Sequence, residues 1–218
     1  MIKIFEKLLD LIYIKYCYFC KSTKDDSLLC SKCYKKIRFM PYGVLRKEEG
    51  CNIYACTIYD GIVKDLIKAL KYKRKKNLSA VMSRLMYEYW QNVKTDDKFL
   101  ILPVPIHKTR LKERKYNHMD LTADSFSELT KYISDKKFLI RIKDTKKQYN
   151  LHKKEREKNL KDAFIINKDR KIDKNTPLLI IDDITSTGAT FNEIIKLLKK
   201  EGYKNITALA LATPDIWN

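Results

Sequence analysis

The sequence predicts an α/β protein: a mostly parallel sheet flanked by helices, with a small four-cysteine module ahead of it. Three observations carry this. Short apolar runs alternate with segments whose apolar residues recur at helical spacing. Two of the runs, "LILPVPI" and "PLLIIDD", are continuous rather than alternating, as in strands buried on both faces. Four cysteines pair as Cys17-x-x-Cys20 and Cys30-x-x-Cys33 near the start.

Residues 1–50 read as the cysteine module, opening on an amphipathic helix, "MIKIFEKLLDLIYIKY". Glu6, Lys7 and Asp10 interrupt its apolar face and no small-residue cleavage site follows, which argues against a secretory signal. No apolar run reaches the roughly 20 residues a bilayer span needs. The expectation is a cytosolic protein that is not integral to a membrane. "MPYGV", Met40 to Val44, reads as a linker or turn into the main domain, residues 51–218.

"CNIYACTIYDG" reads as a strand ending in a turn at Asp60-Gly61, with Cys51 and Cys56 as core residues. Two helices follow, split by a basic break between Lys71 and Asn77. "KFLILPVPI" is a buried strand ending near Pro103, "RKYNHMDLTADSFSELTKYI" a helix and "KKFLIRI" a strand. "DTKKQYNLHKKEREKNLKDAF" is polar and basic, an exposed loop with some helical character. "PLLIIDD", "ATFNEIIKLLKKEGYKN" and "ITALALAT" close the chain as strand, helix and strand, with Gly202 where a helix C-terminal glycine belongs.

An apolar fraction of 44% supports a real core. Lysine and arginine number 46 against 27 acids, a formal net charge of +19. Such an excess suits a polyanionic partner, nucleic acid or a phosphorylated ligand. A lysine-rich solvated surface is the plainer account of the same numbers.

The segment "LLIIDDITSTGAT", Leu178 to Thr190, carries most of the chemistry. A buried strand delivers Asp182 and Asp183 to its carboxyl end, where open α/β sheets bind ligands. Thr185, Ser186, Thr187, Gly188, Ala189 and Thr190 then open a helix. A helix start offers unpaired N–H groups and the positive end of its dipole, small residues let a phosphate approach, and Gly188 permits a turn that a Cβ disfavours. Carboxylates suit sugar hydroxyls, which donate hydrogen bonds to them. A ribose bearing a 5′-phosphate meets both demands. The plain alternative, a strand–turn–helix with a capping threonine, needs the acid pair and the whole loop to coincide by chance.

At these residues the chain resembles the type I phosphoribosyltransferases, whose fingerprint is an apolar strand, two acids, two variable positions and Thr-Thr-Gly-x-Thr. Ile184 and Thr185 are the variable positions, and Ser186 replaces the first threonine but keeps the hydroxyl. Two further stretches resemble the competence protein F family. One holds Val104, Pro105, His107, Arg110, Leu111, Glu113, Arg114 and Asn117; the other holds Arg141, Thr145, Gln148, Leu151, Arg156, Asn159, Ala163 and Phe164. Lys115 stands where that family usually has glycine, and His118 where it usually has glutamine.

The resemblance implies a type I phosphoribosyltransferase-like fold binding phosphoribosyl pyrophosphate with magnesium. Asp182 and Asp183 would be the catalytic acids. His107, Arg110, Arg114, Asn117, Arg141, Gln148, Arg156 and Asn159 would complete the ligand site with the loop. For His107 a hydrogen-bonded core role stays equally open; for each arginine a solvated surface charge is the lesser alternative. The family implies natural transformation, with single-stranded DNA, a competence helicase and recombination proteins as partners at the inner face of the membrane. The alternative is an active magnesium-dependent phosphoribosyltransferase of nucleotide metabolism; no acceptor pocket is named by the sequence.

Cys17, Cys20, Cys30 and Cys33, with nine residues between the two pairs, form a zinc-ribbon-like pattern that can present four thiolates tetrahedrally. A redox pair or an iron–sulfur cluster are the alternatives. Many members of the resembled family begin with such a structural zinc finger. The flanking lysines and Tyr16, Tyr18, Phe19 and Tyr34 could meet a phosphate backbone and stack bases. Packing of those aromatics on the main domain is the equally open alternative.

Overall fold

The computed structural model describes residues 16–93, 95, 97–144 and 159–215. The cysteine knuckle comes first and carries one helical turn, α1 (Ser31–Tyr34). A hairpin follows, β1 (Arg46–Glu48) and β2 (Cys51–Ile58). Its turn, Glu49-Gly50, has φ of 49° and 76°, the mirror-image turn whose twist matches paired strands. Helices α2 (Gly61–Tyr72) and α3 (Ser79–Trp90) flank the expected basic break, which folds as a 3-10 turn at Lys76–Leu78.

Then come β3 (Leu100–Pro103), the short α4 (Lys108–Arg114), α5 (His118–Thr130) and the two-residue β4 (Ile133–Ser134). A separate antiparallel pair, β5 (Leu139–Arg141) and β6 (Phe164–Ile166), stands apart from the main sheet. β7 (Leu178–Ile184), α6 (Ala189–Lys200) and β8 (Ile206–Thr213) complete the fold. Gly202, at φ 89°, follows the α6 C-cap as expected.

The main sheet has the order β1-β2-β8-β7-β3-β4. Every pairing is parallel except β1 with β2. Both faces are covered, so the central strands are apolar throughout. Leu179 and Ile181 of β7 face one cluster with α2, α3 and α5, and Leu178 and Ile180 face the other with α6 and the β5–β6 pair. Cys51 and Cys56 are buried on β2, as expected.

The connections define where a ligand fits. From β3 the chain passes through α5 to β4 on one side; from β7 it passes through α6 to β8 on the other. The two crossovers leave adjacent parallel strands in opposite directions. That reversal opens a crevice beyond the carboxyl ends of β3 and β7.

The knuckle packs on the main sheet: Tyr18, Phe19, Leu28, Leu29 and Tyr34 touch the α2–α3 cluster. Tyr34 donates to Glu88 Oε2 at 2.9 Å. The "MPYGV" segment runs against β2 and α3, with Met40 N–H donating to the Cys56 carbonyl and Tyr89 Oη donating to that of Pro41. Of the expected elements, the N-terminal helix and most of the basic stretch before Asn159 lie outside the described residues. No described helix is long and apolar enough to cross a membrane.

Candidate functional site

Successive side chains on a strand point to opposite faces. Asp182 therefore follows Ile180 toward α6 and Arg141, and Asp183 follows Ile181 toward α2 and α5. The two acids are not an equivalent pair. Asp182 is only partly covered, and its Oδ1 accepts the Asp183 N–H at 2.8 Å. Asp183 is 4% exposed, and its Oδ2 lies 2.5 Å from both Lys71 Nζ and His118 Nε2.

Lys71 ends α2 and His118 begins α5, so two helices converge on one carboxylate oxygen. His118 Nδ1 is buried without a partner among the described residues. The neutral tautomer with its proton on Nε2 fits best, because a second N–H would have no acceptor. Burial alone would raise the Asp183 carboxyl, but Lys71 and His118 overcome it and hold it well below the usual carboxylate range. Burial lowers His118, against the pull of Asp183. Burial, with the Asp183 charge beside it, pushes Asp182 up to about 7.

This sets a pH dependence. Folded Asp182 keeps its proton to about pH 7, whereas unfolded aspartate loses it near about pH 4. Between those values the folded chain holds the extra proton, so this group makes stability fall as pH rises. Asp183 and His118 act oppositely below their ordinary titration points, where the unfolded chain binds the extra proton. Asp182→Asn should therefore remove a decline in denaturation midpoint between about pH 4.5 and pH 7. An unchanged slope in urea titrations would show that Asp182 ionises normally in the fold.

The resemblance-derived residues divide by location. His107 caps α4: its Nδ1 accepts the Thr109 N–H at 3.3 Å and stands 3.6 Å from Asp144 Oδ2, so a hydrogen-bonded role is present. Asn117 caps α5, accepting from Met119 N–H at 3.1 Å and donating to the Val104 carbonyl at 3.2 Å and to Asp120. Its amide ties the end of β3 to α5. Arg141 ends β5 over the Phe164 ring, and burial, with the Arg110 charge, lowers it to about 10 while Asp182 opposes the shift. Arg141 thus borders Asp182, with Arg110 near Arg141. Arg114 stacks on the exposed Tyr72 ring, 5.4 Å from its centroid. Asn159 is half-buried beside Leu160, and Gln148 and Arg156 lie outside the described residues.

Lys115, the α4 C-cap, has φ 67°. The position demands the left-handed conformation, which explains why glycine is usual there. The stacking of Arg114 on Tyr72 is joined by Lys76 over the Tyr116 ring and by Arg74 Nη2 donating to the Glu113 carbonyl at 3.5 Å. Two basic segments far apart in sequence form one cationic surface beside the acids.

The loop has the expected build. Gly188, at φ 81°, is the N-cap of α6, and the Thr187 hydroxyl accepts the Ala189 N–H at 3.4 Å. Thr185 N–H donates to the Ala212 carbonyl, and its hydroxyl is buried without a partner among the described residues. Ser186, Ala189 and Thr190 lie between these at the helix start. Three site residues were missed by sequence reasoning: Lys71 and His118 on Asp183, and Arg46, whose Nη2 donates to the Ser186 carbonyl at 2.7 Å.

In the knuckle the sulfurs of Cys17, Cys20, Cys30 and Cys33 all lie within 4.8 Å of one another. All four cysteines are free. Four thiolates tetrahedral on one ion at about 2.3 Å would lie roughly 3.8 Å apart, so the cluster fits a single metal such as zinc. Burial would raise the Cys17 thiol, but backbone hydrogen bonds from Cys30, Cys20 and Phe19 bring it down to about 6. The aromatics Tyr18, Phe19 and Tyr34 are spent on packing against the main domain, while Tyr16 is exposed beside Lys21.

Similar proteins carry competence and DNA-utilization names. Competence protein F of Haemophilus influenzae is 28% identical over 205 residues, covering 84% of this chain and 90% of that one. The chain is a homologue of the competence F proteins. DNA utilization protein YhgH of Escherichia coli K12 is 27% identical, over 84% of this chain and 82% of that one. Competence protein ComFC of Bacillus subtilis is 22% identical, over 86% and 79%. No family model matches the chain. Among solved structures, adenine phosphoribosyltransferase from Leishmania tarentolae aligns at a TM-score of 0.42 and 13% identity, over 79% of this chain and 96% of that one.

Proposed function

We propose that the chain binds a ribose 5-phosphate unit, as phosphoribosyl pyrophosphate or a related nucleotide precursor, in the crevice between β3 and β7. One observation carries this reading: a partly open Asp182 at a crevice edge, followed four residues beyond Ile184 by a glycine-started helix. Asp182 would accept from the sugar hydroxyls, and the amides opening α6 would hold the phosphate. Asp183, its Oδ2 already serving Lys71 and His118, would keep those two groups in place rather than grip the sugar alone. Magnesium would supply charge neutralisation on the ligand's own phosphate oxygens, since Asp183 has little left to offer a cation.

The relatives' names point to competence and DNA utilization. We extend that role to this chain, as a cytosolic DNA-handling protein whose zinc-bearing residues 1–50 serve the domain of residues 51–218. Single-stranded DNA would track the cationic surface of α4 and the end of α2, where Tyr72 is an exposed ring for a base. Competence helicase and recombination proteins would be its partners. A second reading, turnover as a magnesium-dependent phosphoribosyltransferase, is favoured by Arg141 beside Asp182 with Arg110 near it, cations that could neutralise a departing diphosphate.

Thermal melting against a panel tests the proposal. Phosphoribosyl pyrophosphate or ribose 5-phosphate at about a hundredfold above Kd should stabilise by about 2.7 kcal/mol. A single-stranded oligonucleotide should also raise the midpoint at low salt and lose that effect steeply as salt rises. No shift with any ribose phosphate, with or without magnesium, would sink the ligand assignment.

A further inference from the structure

The β1–β2 hairpin has no part in the reading above, yet two of its charges converge on the loop. Arg46 Nη2 donates to the Ser186 carbonyl at 2.7 Å. A Cβ added to Gly188 would stand 3.2 Å from Arg46 Nη1 and 3.4 Å from Glu48 Oε1. Arg46 and Glu48 are two apart on one short strand and so share a face. The tight turn at Glu49-Gly50 fixes the strand, and Lys199, on the last turn of α6, donates to the Glu49 carbonyl. The hairpin is thus fastened along α6 at both ends.

The arrangement is electrostatically uneconomical as it stands. A guanidinium at a helix N-terminus meets the positive end of the dipole. Arg46 is half-buried, and burial lowers its affinity for the proton, with the Glu48 charge opposing. It donates to a carbonyl, a weaker partner than a carboxylate or phosphate. A cation held there gains most when an anion sits between it and the amides of the helix start. In the structure the nearest anion is Glu48.

We infer that Arg46 is a phosphate-binding residue of the Thr185–Thr190 loop, and that Glu48 is the internal carboxylate an incoming phosphate displaces. This rests on the reading of that loop as a phosphate cradle. It adds a residue from the far end of the chain, and a competitor that sets the affinity. The two side chains then have opposite effects on one equilibrium. Arg46 favours the phosphate by a charge-assisted contact; Glu48 opposes it by like charge from beside Gly188.

Calorimetric titration with ribose 5-phosphate tests this on the full chain. Arg46→Gln keeps a donor for the Ser186 carbonyl but removes the charge, and should weaken binding by about tenfold or more. Glu48→Gln should tighten it several-fold. A tightening cannot come from misfolding, so the second variant keeps the test sound if the first folds poorly. Wild-type binding with both variants within twofold of it would overturn the inference and leave the loop reading standing. Failure of the wild type to bind would overturn both.

Discussion

Asp183→Ala is expected to cost about 3–5 kcal/mol of stability, because removing one member of a buried ion pair strands the other. Here two groups are stranded. Lys71 Nζ and His118 Nε2 each lie 2.5 Å from the same Asp183 oxygen. Lys71 is mostly covered and His118 is buried, so neither can recover its lost partner from water without moving the end of α2 or the start of α5. For a chain of this size the cost corresponds to a fall on the order of 10 °C in melting temperature. The His118→Gln variant should lose much less, since an amide can still donate to Asp183 and brings no titrating group. Melting of Asp183→Ala within about 2 °C of wild type, a shift under roughly 1 kcal/mol, would mean the carboxylate is not the anchor of these helices.

The knuckle should respond as strongly to loss of its metal. Four sulfurs within 4.8 Å of one another repel as thiolates unless an ion joins them. Among the described residues the buried cluster of the knuckle is Cys17, Cys30 and Cys33, with Phe19, Leu29 and Ile62 of α2 around them. Cys33→Ser, or chelation of the wild type, should release one zinc per chain. It should also uncover the α2–α3 surface that Tyr18, Leu28 and Tyr34 pack against. Uncovering several half-buried side chains, each worth part of the about 1.5–3 kcal/mol of full burial, again predicts a drop on the order of 10 °C. Metal analysis finding no zinc in a preparation that melts like one containing it would contradict the structural role.

What the sequence disclosed follows a physical rule. The acid pair and its loop were legible because strand, turn and helix start are contiguous, from Leu178 to Thr190, and each announces itself through local residue types. The cysteine pairs were legible for the same reason. The partners of Asp183 and Ser186 were not. His118 is 65 residues from Asp183, and Arg46 is 140 from Ser186. Only the sheet order brings them together.

The missed elements are short or lack a buried stripe. β1, β4 and β6 span three, two and three residues, too few to show a period of two. α4 buries no residue, so "KTRLKER" carries no amphipathic signal; His107 and Lys115 at its two ends define it instead. "KKFLIRI" was rightly a strand, but its pairing with β6 rather than with the main sheet depends on contacts across Phe138, Leu139 and Phe164, which no local pattern encodes. The unlike roles of the two aspartates were available in principle, from the alternation of side chains along β7, once the strand was seen to be buried on both faces.

On the function proposed above, the carboxyl end of β7 and the start of α6 together hold a ribose 5-phosphate. Titration calorimetry of ribose 5-phosphate against wild type and Asp182→Asn tests it most directly, because Asp182 is the acid left partly open while Asp183 is engaged by Lys71 and His118. The wild type should bind measurably and the variant about tenfold or more weakly, with the fold intact. Equal affinity in the two proteins, or no heat in either, would contradict it.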